Sequence, residues 1–171
     1  MKPIIVGFSN PYSNDPVPAL VPRPVKSSGF CLWSALHALP SSILGHFAFN
    51  ASAHKSEYTR LFDRRNLLTG ALPSHVTREY KRRCAQRLLD GIARGSSVLM
   101  LGTEVLEAIS PLLSSPLERV LILPQVIDGC TWRLLPHPSG RSTYFNDPVI
   151  RTLVGLALAD VLQEESTNAA Q

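Results

Sequence analysis

The chain has 171 residues, of which 44% are hydrophobic and 18% are charged, and its formal net charge at pH 7 is +4. This length and composition predict one globular domain with a buried core, and they exclude an intrinsically disordered chain. The excess of basic residues is compatible with an anionic partner such as nucleic acid.

The first part of the chain combines a short strand with a long loop. The apolar run Ile4-Ile5-Val6 predicts a buried strand that ends at Gly7. Residues 10–26 contain five of the fourteen prolines, which predicts a long loop rather than a helix or strand. The segment Phe30–Leu36 then presents an apolar helical face. The long loop at residues 10–26 is of a length that is often functional in compact domains.

The sequence pattern of residues 40–75 is ambiguous, whereas that of residues 77–94 is strongly helical. We expect a short helix at Glu57–Phe62 and an extended segment at Asn66–Leu68. Between Thr77 and Arg94, apolar or aromatic side chains recur every four residues, and several basic side chains lie elsewhere on the helix. This spacing predicts a helix over 77–94, ended by Gly95.

The last half of the chain alternates strands and helices. Strands are predicted at Val98–Leu101, Val120–Leu123 and Thr131–Leu135, and helices at Thr103–Ile109 and from Asp147-Pro148 to about Gln163. The polar residues 164–171 predict a frayed tail. This alternation favours a single domain over residues 1–171, an α/β protein with a three-layer α/β/α sandwich around a mostly parallel four-stranded sheet.

Cysteine and histidine spacing argues against a metal centre. Cys31, Cys84 and Cys130 have no C-x-x-C spacing, and the five histidines lack metal-ligand spacing, so we expect reduced thiols and no metal or cofactor. No apolar run is long enough to span a bilayer, and only a short one follows Lys2. We therefore expect no membrane contact. We also expect a monomer that lies in the cytoplasm of a prokaryote or of a virus-infected host.

Two loops carry the chemistry, and each directly follows an apolar run. The second, His137-Pro138-Ser139-Gly140-Arg141-Ser142, resembles residue for residue the His-Pro-Ser-x-x-Ser signature of the uracil-DNA glycosylase superfamily. In that family the histidine donates to the pyrimidine O2 as the glycosidic bond breaks. The resemblance implies this role for His137, phosphate contacts for Ser139 and Ser142, and DNA binding for Gly140. For Arg141 it implies insertion into the space left by a flipped base, with a phosphate contact as the alternative.

The first loop, Gly7-Phe8-Ser9-Asn10-Pro11, resembles the family turn in which the residue before proline positions the hydrolytic water. This implies that role for Asn10, although Phe8 and Ser9 make the turn one residue longer than the family pattern. Asp15 is the alternative carboxylate on the same loop. Tyr12 stands where some members exclude the thymine methyl group. An ordinary proline turn capped by asparagine is the competing interpretation.

Further resemblances concern recognition of the base. The segment around Asn66 is similar to the family strand whose polar residue reads the flipped base, and an asparagine amide can pair with N3–H and O4 of uracil. A stacking aromatic is also implied. Phe30 and Phe8 are candidates for it, whereas helical spacing assigns Trp33 to the core.

The resemblance implies a monofunctional DNA glycosylase that hydrolyses the N-glycosidic bond of a flipped, uracil-like base in DNA. Two alternatives stay open at this point. One is an enzyme of the same fold that transfers a group to a modified pyrimidine in DNA, and the other is a non-catalytic module that binds lesions or DNA ends.

Overall fold

A computed structural model describes residues 2–9, 27–44, 60–68, 76–138 and 144–168, and it confirms the α/β/α fold. The sheet has five strands rather than the expected four, in the order β2-β1-β3-β5-β4. The elements, in chain order, are β1 (Ile4–Ser9), α1 (Ser28–His37), α2 (Ser41–Leu44), β2 (Asp63–Leu68), α3 (Arg78–Asp90), β3 (Ser97–Leu101), α4 (Thr103–Ile109), β4 (Gln125–Ile127), β5 (Cys130–Leu135) and α5 (Pro148–Asn168).

Four strands are parallel and one is antiparallel. Strand β1 pairs with β2 on one side and β3 on the other, and β3 pairs with β5, all in parallel. The edge strand β4 runs antiparallel to β5. Parallel pairs need crossover connections, which α1, α3 and α4 supply or begin.

Because side chains alternate along the strands, apolar residues form two cores, one on each face of the sheet. Ile5, Leu99 and Leu135 point towards the layer that contains α1 and α5. Their sequence neighbours Val98 and Leu134 point towards the layer that contains α3 and α4. Because parallel strands buried on both faces must be apolar throughout, the runs at β1 and β3 could be recognised from sequence.

The predicted strand at 120–123 is wrong. Leu121 forms only an isolated bridge to Leu134, and Ile122 has a φ of 74°, which interrupts extended backbone. The fifth strand lies just beyond, in a hairpin turned by Asp128 (φ 54°) and Gly129 (φ 73°). An Asp-Gly pair is the usual signal for such a two-residue hairpin turn, and the sequence interpretation overlooked it.

Several element ends also differ from expectation. Strand β1 continues through Gly7 to Ser9, because Gly7 and Ser9 both pair with β2. Helix α3 starts at its Thr77 N-cap but ends at Gly91, not Gly95. The expected extended segment at 66–68 is the end of β2, which begins at Asp63. Of the expected helix at 57–62, the described residues 60 and 61 are helical.

The last helix begins as predicted, with the Asp147 carboxylate accepting the Val149 N–H at 2.8 Å. It does not fray at 164, because Glu164 binds Arg133 of β5 at 2.8 Å, and α5 continues to Asn168. Arg133 is 3% exposed and also pairs with Asp160 at 2.8 Å. Removing both partners would leave a buried charge unpaired, so this contact ties α5 to one register on the sheet.

Helix α5 crosses α1 in close contact at Gly155. A Cβ at Gly155 would lie 2.5 Å from the carbonyl oxygen of Ala35, closer than such atoms approach in real structures. Glycine therefore sets the separation of the two helices, and the buried residues Leu36, Leu158 and Leu162 pack in the same core.

We expect Gly155→Ala to destabilise the fold by about 1–3 kcal/mol, since the new methyl group must push α1 and α5 apart. In an exposed helix the same change would stabilise by about 1 kcal/mol, so the sign is diagnostic. Urea unfolding measures it, with Thr152→Ala on the exposed face of α5 as the near-neutral control. A neutral or stabilising Gly155→Ala would show that the helices do not touch here.

Candidate functional site

The carboxyl edge of the sheet is the natural position for a ligand. From β1 the chain crosses to β2 on one side, and from β2 it returns past β1 to β3 on the other. The strand order therefore reverses between β1 and β3. In open α/β sheets, ligands bind in the crevice outside the carboxyl ends of strands at such a reversal.

His137 lies at this edge, two residues after β5 ends at Leu135. It is exposed, whereas Pro136 and Pro138 on either side are buried. Both prolines fix their own φ angles, so the backbone around His137 has little freedom. The sequence predicted a bent loop here, and the structure places its histidine at the edge where the strand order reverses.

Gly102, immediately after β3, makes room for the histidine. Its φ is +84°, and a Cβ at this position would lie 3.1 Å from the Cβ of His137. The Gly102 N–H donates to the Leu135 carbonyl at 2.8 Å, which joins the ends of β3 and β5. A residue with a side chain would be strained by the positive φ and would crowd the imidazole.

Although the residue as a whole is exposed, part of its ring packs against Gly102, and this partial burial lowers the pKa of His137 below its ordinary value of about 6.5 because it disfavours the charged form. The Glu104 carboxylate, in the first turn of α4, acts in the opposite direction and raises it, as the smaller effect. The lowered pKa favours the neutral imidazole at pH 7. A neutral imidazole still carries one N–H donor and one acceptor nitrogen.

Phe8 lies at the same level of the edge, near the end of β1. Val6 pairs with Met100, so Phe8 and Gly102 are each two residues beyond a paired position. The ring packs against the core on the α3 side, and the Lys81 ammonium lies 4.9 Å from its centroid. One face of Phe8 is thus covered by a cation rather than open for a stacked base.

Asn66 lies on the opposite face of the sheet. Its ladder partner lies two residues after Ile5, which points towards the layer of α1 and α5, and paired residues share a face of the sheet, so Asn66 lies on that side. Its partner across the ladder is Gly7, which has no side chain. Glycine inside a strand leaves space where another group can approach the backbone.

Phe30 shares the Asn66 layer. It occupies the first turn of α1, where its N–H donates to the Ser27 hydroxyl at 3.2 Å, and its ring centroid lies 5.6 Å from that of Trp33. Trp33 packs against the core, as its helical spacing predicted. The structure thus groups Asn66 with the layer of Phe30, and it does not bring Asn66 and Phe8 to one face.

The remaining predicted site residues lie outside the described residues. They are Asn10, Tyr12 and Asp15 of the first loop, and Ser139, Gly140, Arg141 and Ser142 of the second.

A cavity of about 430 Å³ lies at the opposite, amino edge of the sheet, where Lys2, Phe62 and Ser96 are among its lining residues. Arg65 spans its wall, donating to Asp63 at 2.8 Å and to the Gly91 carbonyl at 2.9 Å. These bonds tie the start of β2 to the end of α3. The cavity is remote from His137, and it sits at the edge where α/β sheets do not place their ligands.

Two further features bear on the class of site. Within the described ranges, no group of three or more His, Cys, Asp or Glu side chains could hold a metal ion. None of the helices in those ranges has the length and apolar character that crossing a bilayer requires.

Sequence reasoning missed two residues of this site. The sequence analysis ended a strand at Leu101 and gave Gly102 no role, although glycine at a strand often marks a close approach of other backbone. Glu104 gave no signal, because its effect on His137 arises from tertiary proximity between the ends of β3 and β5.

Comparison with protein-family models gives no match, and no curated protein matches the chain.

We expect Glu104→Gln to lower the pKa of His137 further, since the substitution removes the only carboxylate that opposes the effect of burial on that imidazole among the described residues. The ring-proton shift of His137, followed by NMR across a pH series, measures this. Glu107→Gln is the matched control, because Glu107 lies one turn later on α4 and pairs with Arg119 at 2.7 Å. An unchanged or raised pKa in Glu104→Gln would mean that the carboxylate does not act on the imidazole.

Proposed function

We propose that this protein is a DNA glycosylase-like enzyme that hydrolyses the N-glycosidic bond of a flipped, uracil-like base. The observation that carries the proposal is the position of His137: an imidazole between two buried prolines, against Gly102, at the carboxyl edge where the strand order reverses. The match of 137–142 to the glycosylase signature is the second support.

The proposed reaction breaks the bond between the sugar C1′ and the base nitrogen, and the bonding electrons leave with the base. The oxygen of a water molecule bonds to C1′, and one proton of that water ends on the released base. Negative charge then develops on the pyrimidine O2. A donor held in place before the reaction stabilises this charge without reorganising, and one such donor contributes roughly 3–4 kcal/mol. His137 suits this role because the neutral imidazole that its lowered pKa favours donates an N–H without first taking up a proton.

Recognition of the base is assigned to the Asn66 layer. Asn66 lies beside Gly7, where no side chain fills the ladder position, and Phe30 stands on the same side of the sheet in the first turn of α1. An asparagine amide pairs with N3–H and O4 of uracil, a donor–acceptor pattern that cytosine reverses. Phe30 is the better-placed stacking residue, since Lys81 covers one face of Phe8.

Oligonucleotides that contain uracil or 5-hydroxymethyluracil test the proposal directly. Release of free base and alkali-labile abasic sites supports hydrolysis. A retained base of altered mass would instead indicate group transfer to the pyrimidine. Binding with no change in the base would indicate a non-catalytic module, and either result would overturn the proposed hydrolysis.

We expect His137→Ala to slow base release by about 100- to 1,000-fold while DNA affinity changes little, because the donor acts mainly in the transition state. Single-turnover rates at saturating enzyme separate the two effects. His137→Gln keeps an N–H donor and should lose less activity than the alanine variant. If the rate of His137→Ala equals that of the unaltered protein, His137 has no part in the chemistry.

The water-activating residue can be identified by comparing Asn10→Ala with Asp15→Asn. If Asn10 orients the water, as the family resemblance implies, Asn10→Ala abolishes cleavage and Asp15→Asn is mild. If the extra residue in the first loop shifts the roles, the order reverses, and the unaltered enzyme loses rate at low pH as a carboxylate is protonated. The measurement is a pH–rate profile for each variant. Full activity in both would remove the first loop from the mechanism.

A further inference from the structure

The chain reverses its direction beside β5 at a strained residue. Leu121 forms a parallel bridge with Leu134, and the chain then turns back into β4, which is antiparallel to β5. Ile122 makes this turn with a φ of 74°, a left-handed conformation that a β-branched side chain rarely adopts. Its N–H donates to the Leu134 carbonyl at 2.8 Å, and its side chain packs against the core on the α1 and α5 side. Contacts with the rest of the fold therefore hold the turn against its local preference.

This turn presents an apolar tip to solvent. The tip consists of Leu123, whose side chain is 60% exposed, and Pro124, which is also exposed. A single exposed leucine is common on protein surfaces and needs no explanation by itself. This one follows directly on a strained residue that is anchored in the core, and such strain persists mainly where a ligand is held. The arrangement therefore indicates a contact with a ligand.

The apolar tip lies beside His137, on the side of β5 opposite Gly102. Successive carbonyls of a strand point to opposite sides, and the Leu135 carbonyl accepts from Gly102 whereas the Leu134 carbonyl accepts from Ile122. The bridge at Leu134 puts Ile122 level with the last residue of β5. That position is two residues before His137, or roughly 7 Å along an extended chain. The tip therefore flanks the site where the proposed reaction takes place.

We infer that Leu123 is an apolar wedge that enters the base stack of duplex DNA next to the flipped nucleotide. An apolar side chain that enters a base step replaces part of the stacking that the step loses when it opens. One side chain is enough for such a contact, whereas a stable protein partner covers about 800 Å² on each side. The inference rests on the proposed function for its ligand. It is separate from the insertion expected of Arg141, which belongs to the loop after His137.

Duplex and single-stranded substrates distinguish a wedge from other roles, because a single strand has no paired stack to open. Base release is measured in single turnover from a uracil-containing duplex and from the same oligonucleotide as a single strand. We expect Leu123→Ala to slow release from the duplex by about 10- to 100-fold, since the opened step loses the side chain that replaces its stacking. Release from the single strand should change little. Leu123→Met keeps a long apolar side chain and should retain most of the duplex rate.

Val126→Ala is the matched control. Val126 is 75% exposed, but it pairs with Thr131, four residues before the end of β5, and so lies away from His137. This variant should leave both rates unchanged. Equal slowing of the two substrates by Leu123→Ala, equal slowing of the duplex by Val126→Ala, or an unchanged duplex rate in Leu123→Ala would each overturn the wedge. Thermal unfolding of both variants checks that the fold is retained.

A second measurement keeps the wedge separate from hydrolysis. The probe is a duplex that carries a tetrahydrofuran abasic-site analogue beside 2-aminopurine, whose fluorescence rises when it is unstacked. We expect the unaltered protein and Val126→Ala to raise the fluorescence and Leu123→Ala to raise it much less. A rise that depends on Leu123, without base release from uracil, contradicts only the hydrolysis. Base release with no rise in fluorescence contradicts only the wedge, and neither signal would overturn both proposals.

Discussion

The carboxyl edge of this protein depends on the turn at Gly102. Its positive φ lets the chain leave β3 and enter α4 at once, and its N–H closes onto the last carbonyl of β5. Because it has no Cβ, the imidazole of His137 can rest against its backbone. One residue therefore joins the ends of two strands, starts a helix and positions the histidine. Any larger residue would have to give up at least one of these contacts.

The other side chains at this edge lie on two opposite faces of the sheet. Asn66 and Phe30 belong to the layer of α1 and α5, whereas Phe8 and Lys81 belong to the layer of α3 and α4. A ligand at the strand reversal would meet polar recognition on one side and cationic charge on the other. This division suits the proposed nucleotide ligand, whose base and phosphate need different surroundings.

Some arginines of this protein are paired within the fold, and others lie exposed on its surface. Arg133 and Arg65 are held by carboxylates or a backbone carbonyl, and they fix α5 and α3 to the sheet. The exposed arginines of α3 have no such role in the described fold. Such surface charges contribute little to stability.

The sequence by itself determined the fold class, the main strands β1, β3 and β5, the helices α1, α3 and α4, and the cap at Asp147. These depend on apolar periodicity and capping, which are local properties of the chain. It also singled out His137 by motif. It did not locate β4, because the deciding signal was the Asp128-Gly129 turn and not an apolar run. Nor did it foresee that α5 continues past Gln163, since Glu164 is ordered by Arg133, 31 residues earlier. Only the tertiary structure decided that Gly102 and Glu104 adjoin His137, and that Phe8 and Asn66 face opposite layers. These relations arise from strand pairing between distant segments, and no local sequence pattern records such pairing.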